Sequence, residues 1–328
     1  MRRLLTAPFE LYRAAGRARG RAYDCGLLPV RRVAGISVVS VGNLSAGGSG
    51  KTPFSIHLAA ALAARGLPTS LVLRGYGGRL ERRGGLVSEG GGRLLSPEEA
   101  GDEAFLAAGR LPGVRVRVGA DRVAAVRAEA EAGSRVAVLD DGFQHRRIHR
   151  DLDVLLVRPS DRNPGSARLP PALPREPWEA TERADLLAGS IADWEGLDGA
   201  PPLLFDLEPT AAIDRRWRAE PLAGHAGARA WLLSGIARPE RFVTSARRAG
   251  LGVAGHSAFP DHHRFRRFEL ERVEAEARAA GATLLLATEK DLPRLMHLGS
   301  ELLLRALRVE QRIVCGEEIL ARRVESVV

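Results

Sequence analysis

Eight consecutive residues, Ser45-Ala46-Gly47-Gly48-Ser49-Gly50-Lys51-Thr52, carry the clearest chemistry in the chain. They follow an apolar run over 36–41 that reads as a strand, and they open a helical pattern over 52–65. That is the context of a phosphate-binding loop. Glycines let successive backbone N–H groups turn inward around phosphate oxygens, and the helix N-terminus adds its positive dipole end. Lys51 is placed to reach the β- and γ-phosphates, and Thr52 to offer a hydroxyl to Mg²⁺. The strict pattern has glycine where this chain has Ser45.

The chain's own habits single out Lys51. Of 49 basic residues only Lys51 and Lys290 are lysines, and the other 47 are arginines. A guanidinium is a wide planar fork and an ammonium a compact point charge, so a retained lysine marks a task that arginine does poorly. Asparagine occurs only at 43 and 163, and glutamine only at 144 and 311.

A second apolar run, 136–139, ends in Asp140-Asp141. An acidic residue at the C-terminal end of a buried strand is where a phosphate-loop enzyme holds its metal. Adjacent carboxylates repel, and a divalent cation relieves that cost. Gly101-Asp102-Glu103, Asp261-His262-His263 and Thr288-Glu289-Lys290-Asp291 are weaker signals. The first two are also readable as a helix cap or a surface loop, and the third as a salt-bridged helix start.

The elements that must position these residues alternate. Strands are expected at 36–41, 70–74, 114–118, 136–139 and 153–157, with helices at 52–65, 97–108 and 122–132 and a glycine-dense loop or hairpin at 84–92. Such alternation predicts an α/β fold with a parallel sheet covered on both faces. Six prolines between 158 and 177 mark a junction, giving expected lobes of 1–157 and 158–328. The second is a smaller α/β lobe with strands at 230–233 and 283–287.

The 328-residue chain has a net charge of +9, which points to phosphate-bearing partners. Eight arginines before residue 36 face only Glu10 and Asp24, a local charge of +6. Residues 7–23 read as a helix with Leu11, Ala15, Ala18 and Ala22 on one face and Arg13, Arg17 and Arg21 on another. Such a helix either lies on an anionic membrane or packs on its own domain with a solvated basic face. No stretch approaches the ~18 apolar residues of a membrane span. Cys25 and Cys315 fit no metal spacing, and no disulfide is expected. Aromatics make up 5% of residues, too few for the stacking surface of a nucleic-acid-binding ATPase. Thr288-Glu289-Lys290-Asp291 only mimics a guanine-recognition signature.

Several motifs occur together in one order. They are Val41-Gly42-Asn43-Leu44, the loop itself, Arg74-Gly75-Tyr76-Gly77-Gly78, Gly101-Asp102-Glu103 and Asp140-Asp141-Gly142-Phe143-Gln144-His145. Leu173-Pro174-Arg175-Glu176-Pro177, Gly235-Ile236-Ala237-Arg238-Pro239-Glu240-Arg241-Phe242, Phe259-Pro260-Asp261-His262 and Thr288-Glu289-Lys290-Asp291 follow. This set, spanning about residues 37 to 291, resembles the tetraacyldisaccharide 4'-kinase family, the lipid A 4'-kinases. Departures touch loops: Ala104 stands where proline is frequent, and 169–172 and 292–294 are altered.

The resemblance implies two α/β/α lobes joined by a hinge. It implies transfer of the ATP γ-phosphate to the 4'-hydroxyl of a tetraacylated disaccharide 1-phosphate, giving lipid IVA. Asp102 and His262 would activate the hydroxyl beside Lys51, and Asp140 and Asp141 would serve Mg²⁺ with Thr52. Asn43, Arg74, Tyr76, Gln144, His145, Arg175 and Glu176 are expected at the substrate. The protein would work at the cytoplasmic face of a bacterial inner membrane, held peripherally through residues 1–23, without nucleic acid or an obligate protein partner.

Overall fold

The structure is a computed structural model that describes residue 16 and residues 18–45, 47–162 and 175–328. The expected helix start, Ala46 and most of the proline-rich stretch lie outside the described residues. Residues 16 and 18–24 are helical.

The chain forms two compact units, Met1–Phe205 with Ile313–Val328, and Asp206–Arg312. The division therefore falls well beyond the proline-rich stretch. The reason is strand pairing: Leu186–Ser190, after the prolines, pairs in parallel with Leu152–Leu156, before them. Ladder bonds tie the two segments into one sheet whatever the composition between them.

In unit 1, β1 (Ser37–Asn43), β2 (Thr69–Leu73), β3 (Gly85–Ser88), β4 (Arg115–Val118), β5 (Val136–Asp140), β6 (Leu152–Leu156), β7 (Leu186–Ser190) and the start of β8 (Leu203–Ile213) build one sheet. Its order is β8-β7-β6-β1-β5-β2-β4-β3. All neighbours are parallel except β3, which runs against β4. Strands β2, β5 and β6 are buried along their whole length, which is why they read as mostly apolar, with Thr69, Ser70, Asp140 and Asp153 the buried polar exceptions.

Helix α1 (Lys51–Ala64) starts after Gly50, whose φ of 85° only glycine adopts without strain. Phe54, Leu58 and Leu62 on α1 are buried. The single expected helix over 97–108 is two: α2 (Pro97–Ala100) and α3 (Asp102–Arg110). Gly101 breaks them with φ 82°, and a Cβ there would sit 2.7 Å from the Tyr76 carbonyl oxygen. The Arg74–Gly78 loop thus lies directly on the start of α3. Helix α4 (Arg122–Glu131) is capped by Asp121, which accepts from the N–H groups of Val123 and Ala124.

Unit 2 has β9 (Ala219–Pro221) paired with β8, and a parallel sheet in the order β11-β10-β12-β13. Those strands are β10 (Arg229–Ser234), β11 (Gly252–Ala258), β12 (Leu284–Thr288) and β13 (Leu303–Cys315). Its core gathers Leu233, Phe265, Leu285, Leu292 and Leu304. Among the described residues no helix is long and apolar enough to cross a membrane.

In unit 1, β1 lies between β5 and β6, and Val41 is in register with Asp140. The turn after β5 passes so close to Gly42 that a Cβ there would stand 2.3 Å from Phe143 Cβ. Gly42→Ala should therefore cost about 1–3 kcal/mol of stability by overpacking. Thermal denaturation should show a melting temperature several degrees lower, and an unchanged midpoint would contradict this packing.

Candidate active site

The C-terminal ends of β1 and β5 lie side by side, so the loop after β1 and the acidic pair ending β5 share one place. Open α/β sheets bind ligands at such ends. Gly47, Gly48 and Gly50 all have positive φ (80°, 56° and 85°), which turns backbone N–H groups toward a common centre.

Asn43 ties the loop together. Its Nδ2 donates to the Ser45 carbonyl and, at 3.0 Å, to Ser49 Oγ. Its Oδ1 accepts from Lys51 Nζ at 2.8 Å. Gln144 Nε2 donates to the Asn43 carbonyl at 2.9 Å. These two amides, expected at the substrate, are thus engaged in shaping the loop.

The adjacent carboxylates are treated differently. Asp140 is buried and accepts from Thr52 Oγ1 and Ser55 Oγ, both at 2.9 Å. Burial pushes its carboxyl up to about 6, with the nearby charges of Glu103 and Asp141 adding to the rise. Asp141 takes φ 56°, unusual for a non-glycine residue, and points to cations instead. Lys51 Nζ stands 3.2 Å from its Oδ1, and Arg175 Nη1 donates to both oxygens at 2.6 and 2.7 Å. Burial would raise this carboxyl, but Lys51 and Arg175 outweigh it and hold it down to about 2.

Around them, Arg122 is buried with Nη2 donating to the Asp140 carbonyl at 3.3 Å, and burial lowers its guanidinium to about 10. His145 is lowered to about 4, first by burial and then by Arg122, so its ring is neutral near pH 7. Glu176 pairs with Arg183. Arg175, Glu176 and Arg183 also line a cavity of about 450 Å³ together with Gly20, Arg21 and Arg146. Arg74 is paired with Glu81 at 2.6 Å, and Tyr76 is exposed.

Asp102 opens α3, and Glu103 beside it is close enough to raise Asp140. His262 belongs to unit 2. It too has positive φ (62°), with Lys290 Nζ 3.1 Å from its Nε2 and Arg294 Nη2 3.2 Å from its Nδ1. The buried Asp291 accepts from the Gly235 N–H at 2.9 Å and from Thr288 Oγ1 at 2.6 Å, so two of the sequence motifs meet there, and Lys290 joins a third at His262.

Ser55 and Arg122 were not singled out from the sequence. Ser55 had a signal, since it sits one turn after Thr52 on the same helix face. Arg122 had none, being one of 47 arginines.

A cation fits this place. Among the described residues no cluster of three or more His, Cys, Asp or Glu could hold a metal unaided. A hydroxyl and one buried carboxylate of raised pKa, facing a phosphate cradle, suit a divalent ion that takes its remaining ligands from phosphate and water.

The chain matches the tetraacyldisaccharide-1-P 4'-kinase family model over residues 1–328. It is 42% identical to a tetraacyldisaccharide 4'-kinase of Anaeromyxobacter dehalogenans (strain 2CP-1 / ATCC BAA-258), covering 98% of this chain and 89% of that one. It is 38% identical to one of Geobacter sulfurreducens, covering 94% and 89%. A crystal structure of LpxK from Aquifex aeolicus in complex with ATP superposes with a TM-score of 0.78 at 31% identity, over 100% of this chain and 99% of that one.

The raised Asp140 carboxyl makes a stability prediction. Its folded value of about 6 lies above the ordinary aspartate value of about 3.9, so the folded state holds its proton longer. Stability is then lost as pH rises from about 4 through about 6. Asp140→Asn removes that cost and should raise nucleotide-free stability at pH 7.5 by on the order of 2 kcal/mol, with the gain vanishing near pH 4. Melting curves at the two pH values check this; equal midpoints at pH 7.5 would contradict it.

Proposed function

The chain belongs to the tetraacyldisaccharide-1-P 4'-kinase family, and on that premise we propose how its residues divide the reaction. It is an ATP-dependent kinase of the lipid A precursor, placing a phosphate on the 4'-hydroxyl of tetraacyldisaccharide 1-phosphate. The single observation that carries the assignment of roles is the split between Asp140, held by Thr52 and Ser55, and Asp141, held by Lys51 and Arg175.

The loop N–H groups from Gly47 to Thr52 bind the β- and γ-phosphates of ATP, and Lys51 meets the negative charge there. Thr52 and Asp140 would hold Mg²⁺, which would neutralise phosphate charge when bound. Asp141 stays with Lys51 and Arg175 and holds the lysine side chain in place before nucleotide arrives. Arg175 links this place to the neighbouring cavity, whose arginines 21, 146 and 183 are matched there by Asp24, Glu176, Glu179 and Glu182, a mixed polar lining that suits a sugar head group. Arg74, Tyr76, His145 and Glu176 are assigned to the substrate, and Asn43 and Gln144 act on it through the loop.

Asp102 and His262 are assigned to the acceptor hydroxyl as a unit. A hydroxyl is a poor nucleophile near neutral pH, so a positioned acceptor for its proton speeds attack on phosphorus. Both ring nitrogens of His262 face cationic donors, Lys290 and Arg294. A neutral ring can accept through only one nitrogen, so these contacts bear on which tautomer is present. The basic segment over residues 1–23 is assigned to an anionic inner-membrane surface, a peripheral attachment that flotation with anionic vesicles tests.

The experiment is ATP turnover with and without the disaccharide lipid 1-phosphate. Turnover should depend on the lipid, and full-rate hydrolysis without it would contradict the proposal. Lys51→Arg should fold normally and lose most activity, because the guanidinium does not fit a place made for an ammonium. Asp102→Ala and His262→Ala should each lower kcat by about 10²-fold or more. The double variant should lose little further, since residues acting as one unit are non-additive. A single variant keeping more than about a tenth of native kcat would remove that residue from the assignment.

A further inference from the structure

A phosphate cradle works when its N–H groups converge. The carbonyls of the same loop must then point outward and find partners elsewhere. Here the outward partners are side chains. The Ser45 carbonyl accepts from Asn43. The Gly47 carbonyl lies 3.5 Å from Arg158 Nη1, a residue 111 positions further along the chain.

Arg158 follows β6, one residue beyond Val157. Its Nη2 also bonds the Ser45 hydroxyl. That hydroxyl donates onward to Asp161 Oδ1 at 2.7 Å. Asp161 closes the ring: its Oδ2 accepts from the Arg158 backbone N–H at 2.8 Å, and its Oδ1 stands 3.5 Å from the guanidinium. Ser45 is 3% exposed, and the Arg158 and Asp161 side chains are 10% and 4% exposed. Two opposite charges in so dry a place bear a large desolvation cost, and truncating either leaves the other uncompensated.

We propose that Arg158 and Asp161 clamp the first limb of the phosphate loop, with the Ser45 hydroxyl as the pin, and are positioning residues for nucleotide binding. The proposal rests on the reading of this loop as the ATP site. It also gives a reason for serine where the strict loop pattern has glycine: a glycine would leave Arg158 and Asp161 with no shared partner on the loop. The clamp touches no phosphate itself. Losing it leaves every N–H of the cradle present but lets the loop leave the converged arrangement. Apparent affinity then falls by the fraction of time the loop is competent, while turnover at saturating ATP falls less.

Titration calorimetry with ADP, run beside melting curves and ATP kinetics, tests this. Ser45→Ala should weaken ADP binding about tenfold and raise KM for ATP in proportion, with a smaller change in kcat. Ser45→Thr keeps the hydroxyl and should stay within about twofold of wild type. Ser45→Ala added to Arg158→Ala should weaken ADP little beyond Arg158→Ala alone. The proposal is overturned if folded Ser45→Ala and Arg158→Ala variants bind ADP as wild type does, a residue of purely structural role lowering only the melting temperature. It is equally overturned if Ser45→Thr loses as much affinity as Ser45→Ala. If Arg158→Ala does not fold, the two Ser45 variants decide. Wild-type protein that binds no ADP would instead remove the premise, the nucleotide site itself.

Discussion

Two carboxylates that follow one another in a chain cannot both remain ionised in a buried place unless each is given its own surroundings. In this protein the separation is made by the backbone. Asp140 ends a strand and points at the hydroxyls of α1. Asp141 takes a left-handed conformation that for a non-glycine residue costs on the order of 1 kcal/mol, and so points at Lys51 and Arg175. One carboxylate keeps a raised pKa and waits for positive charge; the other is already neutralised. A left-handed φ recurs at His262 and Trp217, the other two non-glycine positive-φ residues among those described.

The surrounding fold follows from that arrangement. Lys51 can reach Asp141 because β1 and β5 are neighbours in register, and they are neighbours because the chain returns to the centre of the sheet after β4. The turn carrying Asp141 crosses β1 where Gly42 has no side chain. Phe143 then fills the space beyond, fully buried beside Leu44 and Leu155. Arg122 closes the other side by bonding the carbonyl of Asp140. The helices and strands are thus spaced by burial, and the polar residues at their ends inherit their positions.

Much of this was legible in the sequence, for physical reasons. Buried parallel strands read as mostly apolar runs, so β1, β2, β5 and β6 could be placed within a residue or two. The loop was legible because few backbones other than a glycine-rich one can converge N–H groups. The strands of unit 1 beyond the prolines were not legible, since composition marks a change in chain character and says nothing about which strand pairs with which. The break at Gly101 was hidden inside a helical pattern, as glycine is tolerated there until another backbone comes close. The different fates of Asp140 and Asp141 were invisible, because they depend on one φ angle and on Arg175, 34 residues away. Arg158 and Asp161 were invisible for the same reason: their partner is distant in sequence and their types are common in this chain.

The central claim is that the adjacent acids have separate partners, Asp140 the metal and Asp141 the lysine. Manganese electron paramagnetic resonance with ADP tests it most directly, comparing wild type with Asp140→Asn and Asp141→Asn. The account predicts that nucleotide-dependent manganese binding is lost in Asp140→Asn and kept in Asp141→Asn. Loss in Asp141→Asn with retention in Asp140→Asn would contradict it.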